Sequence, residues 1–288
     1  MAPEIDVFAE VEPRQKERII LALKKAGNVV GYLGDGVNDA AALHVADVGI
    51  SVDTATDVLK EEADIVLLQK DLRVLTEGVE EGRRTFGNTL KYIFMATSGN
   101  FGNMFSTAIA SFFLTFLPML PKQILLNNLL TDGAEMTIAS DTVDGNVLIR
   151  PQRWDLALIR KFMIVFGVLS ALFDFATFAV LIFVLGSRVD QFRTAWFIES
   201  VASASMAVIG LRSRKSLFKG RPGKYMLIGT SLAIIAVLLI PYTQIGEIFG
   251  LVALYPIFHF WIWLIVGSYL AAIELTKRTF FLRMTGKQ

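Results

Sequence analysis

The chain has 288 residues, no cysteine and a formal net charge of +1. The missing cysteine excludes a disulfide framework and thiolate metal ligands, and the near-neutral charge gives no footing for nucleic acid. A mean hydropathy of +0.52, with 22 Phe and only 19% charged residues, points instead to a membrane protein.

The first residues, Met1 to Arg14, are acidic and lack the apolar core of a signal peptide. Ile5 to Val11 is a short, partly apolar run. Pro13 sits where a first helical turn tolerates it, and Arg14 to Ala26 has helical periodicity, with Ile19, Ile20 and Leu23 on one side. Gly27 and Asn28 end that helix. A strand is predicted at Val29 to Leu33, a helix from about Val37 to Ala46, a strand at Val48 to Ser51, a helix at Thr54 to Ala63 and a strand at Asp64 to Leu68. Such alternation implies a parallel α/β sheet. The piece is short for an α/β domain and would leave an open edge and an incomplete core, so something is expected to be missing upstream.

From Leu72 the pattern is helical without an evident stop, charged at first and apolar after Lys91. It reads as one long helix leaving a water-soluble domain and entering a bilayer. A span needs about 20 mainly apolar residues. Candidates are 92–117, 123–139, 159–185, 194–211, 225–240 and 257–273, about six in all by that rule. Positive charge tests the topology. One set of loops carries Arg150, Arg153, Arg160 and Lys161, then Arg212, Arg214, Lys215, Lys219, Arg221 and Lys224. The C-terminal tail carries Lys277, Arg278, Arg283 and Lys287. The opposite loops carry only Lys122, Arg188 and Arg193. Both termini are therefore expected on the cytoplasmic side of a cell membrane crossed several times.

Two stretches carry chemistry. The first is the run from Gly31 to Asp39, in which an apolar strand ends in Gly34-Asp35-Gly36 and leads to Asn38 and Asp39. Glycines permit a sharp turn. The turn presents two carboxylates at the C-terminal edge of a sheet, where open α/β sheets bind ligands. Hard oxygen ligands of this kind suit Mg²⁺ held together with a phosphate. The second is the polar set within predicted spans. Asn128, Asp132 and Glu135, at i, i+4 and i+7, share a helical face, and Gly133 permits local unwinding there. Asn100 and Asn103 lie one turn apart in the preceding span. Intramembrane polar groups are expensive and mark function by default. An all-oxygen cluster suits a hard cation such as Mg²⁺ or Ca²⁺. Glu199 is a further candidate ligand. Asp174 is as well explained by a structural pairing, Trp261 and Trp263 by an interfacial belt, and His44 and His259 have no ligand-spaced partners.

Gly-Asp-Gly-Val-Asn-Asp-Ala-Ala-Ala-Leu at 34–43 resembles the hinge motif of P-type ATPases, whose usual form has Pro at the position of Ala41. Val11-Glu12-Pro13-Arg14-Gln15-Lys16 resembles the motif with that family's active-site lysine. Asn-Leu-Leu-Thr-Asp at 128–132 resembles its ion-binding segment. Ser-Gly-Asn-Phe-Gly-Asn at 98–103 and Arg-Pro-Gln-Arg-Trp-Asp at 150–155 resemble the magnesium-transporting branch, whereas calcium pumps carry Glu at the position of Asn103. The lack of cysteine counts against the heavy-metal pumps. Asp-Gly-Ala-Glu-Met-Thr-Ile-Ala at 132–139 is reminiscent of proton pumps, so proton or calcium transport stays open.

The resemblance covers nearly the whole chain. It implies an α/β remnant of a haloacid-dehalogenase-like phosphorylation domain with its stalk at 1–86, followed by an all-α membrane domain of about six transmembrane helices at 87–288. It implies that Lys16 meets phosphoryl oxygens, with Gly34 and Gly36 beside the nucleotide phosphate. Asp35 would hold the catalytic Mg²⁺, Asn38 would contact phosphate, and Asp39 would support the metal site indirectly. The transported cation, Mg²⁺ foremost, would meet Asn100, Asn103, Asn128, Thr131, Asp132, Glu135 and Glu199. ATP would bind mainly to a domain outside this sequence. No Asp-Lys-Thr-Gly, the motif of the phosphorylated aspartate, occurs here, and Met1 reads as an internal residue of a longer pump or as the start of a truncated reading frame. The implied partners are the lipid bilayer and the missing N-terminal part, so the chain alone is expected to be inactive. Two other readings stand beside this one. One is a non-enzymatic membrane fragment or partner subunit. The other is a membrane-anchored phosphatase, for which Asp6 would be the early nucleophile although it lacks the usual Asp-X-Asp context.

Overall fold

The computed structural model describes residues 5–69, 71–149, 151–213 and 222–285. Arg150, Arg214, Lys215, Lys219, Arg221 and Lys287, used above for the charge argument, lie outside the described residues. The chain forms two compact units, Met1–Glu81 and Gly82–Gln288.

In the first unit, helix α1 (Pro13–Lys25) begins with Pro13 at its first turn, and Gln15 Oε1 accepts from the Glu12 N–H at 2.9 Å. Lys24 and Lys25 in its last turn complement the helix dipole, and Gly27 leaves it at φ +89°. Strand β1 (Gly31–Leu33), a 3₁₀ turn (Val37–Asp39), α2 (Ala40–Val45), β2 (Val48–Val52), α3 (Asp57–Glu62) and β3 (Ile65–Leu67) follow. The strands are parallel in the order β1-β2-β3, with Leu33 opposite Ile50 and Val52 opposite Leu67. Leu43, Ile50, Val52, Ala55, Leu59 and Leu67 form the core beneath them.

Residues 5–11, the short apolar run, take no regular structure, and their side chains Ile5, Val7 and Phe8 are exposed. One expectation is corrected in this unit. The strand predicted from Val29 begins only at Gly31, because the Val30 N–H is taken by the Asp47 carboxylate at 2.9 Å instead of a ladder carbonyl.

Helix α4 (Leu72–Phe113) runs across the boundary between the units. In the second unit it is followed by α5 (Pro121–Met136), a 3₁₀ turn (Thr137–Ser140), α6 (Gly145–Ile149) and α7 (Leu156–Ala179), which closes in a π-helical turn (Val180–Val184). Then come α8 (Val189–Leu211), α9 (Lys224–Leu239), α10 (Gln244–Phe249) and α11 (Pro256–Thr285). Helix α8 is the centre: Phe192, Trp196, Phe197, Ile198 and Val201 are buried against α5, α7, α9 and α11.

Four helices among the described residues are long and apolar enough to cross a membrane, within Leu156–Val184, Val189–Leu211, Lys224–Tyr242 and Pro256–Leu282. The other two predicted spans fall short for a physical reason. Helix α5 has 16 residues and carries Gln123, Asn127, Asn128, Asp132 and Glu135, and α4 is interrupted by Ser98, Asn100, Asn103 and Ser106. Helix α11 runs well past the expected end at 273, because buried Lys277 donates to the Gly210 carbonyl and pairs with Glu274, each at 2.8 Å.

Two features fix the second unit. Helices α4 and α7 cross at glycines: a Cβ on Gly102 would stand 3.0 Å from the Gly167 carbonyl oxygen, and one on Gly167 would stand 2.6 Å from the Phe101 ring. Small residues allow this approach. At the end of α5 the fully buried Asp141 carboxylate accepts from Lys91 at 3.0 Å, from Arg212 at 3.2 Å and from the Gly223 N–H at 2.9 Å. Asn88 donates to its backbone carbonyl at 2.8 Å. One carboxylate thus ties together α4, the end of α8 and the start of α9.

Candidate functional site

The loop after β1 is built around Asp39. Gly34 packs against it so closely that a Cβ there would lie 2.6 Å from the Asp39 Cβ, so the tight turn excludes a side chain. Asp39 Oδ1 accepts from Lys16 Nζ at 2.7 Å and from the Tyr32 hydroxyl at 2.6 Å. Its Oδ2 accepts from the Gly36 N–H at 3.3 Å. Burial alone would raise the Asp39 pKa, but hydrogen bonds from Lys16, Tyr32 and Gly36 together bring it below the ordinary carboxylate value. The hydrogen bond to Asp39 raises the Lys16 pKa. Burial, then the Asp39 hydrogen bond, pushes the Tyr32 hydroxyl up to about 12.

Asp35 points elsewhere. It is exposed and lines a cleft of about 430 Å³ at the C-terminal ends of the three strands, with Val52, Leu67 and Asp71. Asn38 is exposed and Gly36 half-buried. The structure therefore joins Lys16 with Asp39 and leaves Asp35 and Asn38 facing outward. Among the described residues no group of three or more His, Asp or Glu is arranged to hold a metal. Mg²⁺ commonly rests on one or two carboxylates plus waters and phosphate oxygens. Asp35 fits that demand, whereas Asp39, with both oxygens engaged, fits only as a positioning group. Tyr32 was not singled out from the sequence, where it reads as one more apolar strand residue. Asp71, beside Asp35 in the cleft, lay just before the predicted long helix.

Tyr32→Phe is expected to destabilise the chain by about 1 kcal/mol, read by chemical denaturation. The pH dependence has a defined sign. The lowered Asp39 pKa contributes stability that is full above its ordinary 3.8 and lost as pH falls through the folded value. Removing the Tyr32 hydrogen bond moves that acid limb to higher pH. The Lys16 contribution, from a raised pKa, is full below 10.5 and lost as pH rises through its folded value.

The polar set of the second unit separates into three places. Asn100, Asn103, Asn127, Asn128 and Ser200 line a cleft of about 640 Å³ among α4, α5 and α8, walled also by Trp196. Ser200 Oγ donates to Asn103 Oδ1 at 3.3 Å. Thr131, Asp132, Glu135 and Glu199 are not part of its lining. Thr131 instead donates to the carbonyls of Asn127 and Asn128 at 3.0 and 3.2 Å. Glu135 borders a smaller cavity. Glu199, fully buried, lies against Asp174. Asp174 itself accepts from Ser106 at 2.5 Å and from the Trp196 indole at 2.8 Å, the structural pairing open to it in the sequence.

The face of α5 also differs from expectation. Asn127, Thr131, Ala134 and Glu135 are its buried stripe, while Asn128 and Asp132 are half-buried at its margin. Asn127 was missed, although a stripe centred one residue earlier has the same spacing. Gly133 does not unwind the helix, which continues to Met136.

Comparison with known proteins adds three findings. A family model described as "Cation transporting ATPase, C-terminus" matches residues 116–279, more than half the chain. "Magnesium-transporting ATPase, P-type 1" of Escherichia coli (strain K12) is 42% identical over 294 aligned residues, covering 100% of this chain and 32% of that protein; the Salmonella typhimurium (strain LT2) protein of the same name gives the same figures. "Calcium-transporting ATPase" of Bacillus subtilis (strain 168) is 31% identical over 88% of this chain and 30% of its own length. The chain thus spans about a third of the length of the curated relatives it matches. On these grounds the chain belongs to the P-type cation-transporting ATPases, as a C-terminal portion.

Proposed function

We propose that this chain is the C-terminal portion of an ATP-driven pump that moves Mg²⁺ across a cell membrane. The observation that carries the reading is the 42% identity over the whole chain to relatives named as magnesium transporters, against 31% to the calcium relative. Residues 1–86 are read as the end of a haloacid-dehalogenase-like phosphorylation domain with its stalk. Residues 87–288 are read as the membrane domain, with α4 and α5 as its two polar spans beside the four apolar ones, and with both termini cytoplasmic.

In this reading Asp35 holds the catalytic Mg²⁺, which supplies charge neutralisation during phosphoryl transfer. Lys16 meets the phosphoryl oxygens, with Asn38 and the backbone of Gly34 and Gly36 beside them. Asp39 fixes the Lys16 ammonium at the turn and acts through it. The transported cation enters the cleft of Asn100, Asn103 and Asn128; Asp132 and Glu199 act on it from outside that lining, and Thr131 shapes α5 through its backbone bonds. The polar part of the lining is amide and hydroxyl, set among Met104, Met119, Ile124 and Trp196, and Mg²⁺ dehydrates reluctantly and keeps several waters. Such a surface suits an ion that arrives hydrated. The phosphorylated aspartate and the main ATP contacts belong to sequence outside this chain.

The test is ATP-dependent ion movement in proteoliposomes by this chain joined to its upstream coding sequence. Mg²⁺ transport that Asp35→Asn reduces by at least about 100-fold is the expected result. Movement of Ca²⁺ or protons without Mg²⁺ would overturn the choice of ion, and ATP-driven transport by the present chain alone would overturn the division of labour.

A further inference from the structure

We propose that the small cavity beside Glu135 is a binding site for one dehydrated monovalent cation of the sodium type, separate from the amide cleft. The cavity is about 20 Å³ and lies where five helices meet. Its oxygen donors are the Glu135 carboxylate on α5 and the hydroxyls of Ser98 (α4), Ser170 (α7), Ser200 and Ser203 (α8) and Tyr269 (α11). Asn103 borders both this cavity and the amide cleft.

Three observations converge. First, Glu135 is 6% exposed, and its Oε2 has no hydrogen-bond partner among the described residues. A buried carboxyl oxygen in that position is met by a cation, by a donor or by a proton of its own, and neither lysine nor arginine lines the cavity. Second, the volume accommodates a single particle the size of a water molecule. Mg²⁺ with the waters it retains does not fit, and bare Mg²⁺ is disfavoured by its reluctance to dehydrate. Third, one carboxylate among neutral hydroxyls matches a single positive charge. The inference goes beyond the choice of ion for the amide cleft and does not depend on it.

The experiment is thermal unfolding of the full chain in lipid nanodiscs, with NaCl replacing choline chloride at constant ionic strength. Binding to the folded state raises the midpoint with ligand concentration. A saturable Na⁺-dependent rise, weaker with KCl and absent in Glu135→Gln, is the expected result, since the neutral amide needs no cation. Ser203→Ala keeps the carboxylate and should raise the Na⁺ concentration needed by roughly five- to tenfold; it decides the matter if Glu135→Gln does not fold. No Na⁺ response in the wild-type chain, an equal response in Glu135→Gln, or an unchanged Na⁺ requirement in Ser203→Ala would overturn the site and leave a cavity fit for water.

Discussion

Asp141→Ala is expected to lower the stability of the chain by about 3–5 kcal/mol, the range for removing one partner from a buried ion pair. The carboxylate has no exposed side-chain surface, and its partners Lys91 and Arg212 are 14% and 5% exposed. Without it Lys91 and Arg212 lose the carboxylate between them, with the Asp144 charge still acting on Lys91, and the Gly223 N–H loses its acceptor. Asp141→Asn keeps an acceptor for that N–H but not the charge, and should fall between the two. Guanidinium or thermal unfolding in detergent micelles reads the difference. An Ala variant within about 1 kcal/mol of the parent would mean that Lys91 and Arg212 find water or other partners as they do at a surface.

Gly167→Leu should cost about 2–3 kcal/mol through overpacking. Even the first carbon of the new side chain would meet the Phe101 ring at 2.6 Å and the Ser98 carbonyl oxygen at 3.0 Å. The ring can rotate away, but the carbonyl belongs to the backbone of α4 and moves only with the helix. Phe101→Ala in the Leu background is therefore expected to recover part of the loss and not all of it. Full recovery in unfolding measurements would show that the ring alone sets the α4–α7 distance.

The sequence was most legible where one local rule acted alone. Helix α1 announced itself by Pro13 and the spacing of Ile19, Ile20 and Leu23, and the parallel strands by short apolar runs between helical stretches. It was least legible where a partner distant in the chain decided the outcome. The Asp47 carboxylate shortens β1 at Val30. Gly210 draws Lys277 inward and lengthens α11. Tyr32 takes its polar role because the turn after β1 brings Asp39 back to its hydroxyl, where Lys16 of α1 meets the same oxygen. The polar residues of α4 and α5 were visible as a set. Their division among the amide cleft, the Glu135 cavity and the Asp174 pairing depends on the angular position of each residue against α7, α8 and α11. A one-residue shift from Asn128 to Asn127 is enough to change which amide is buried.

The hydrogen bond from Ser200 to Asn103 has a thermodynamic consequence. Both residues border the amide cleft and the Glu135 cavity, so this bond is a party wall between the two chambers. An amide that turns its oxygen toward an occupant on one side withdraws it from the other. Occupancy of the two chambers is then linked, and linkage is reciprocal: whatever factor one occupant imposes on the affinity of the other, it receives back unchanged. Where the Ser200 hydroxyl turns to an occupant of the Glu135 cavity, its bond to Asn103 is given up, so the two chambers compete for one side chain. On the proposals above, loading one chamber therefore loosens its neighbour's hold.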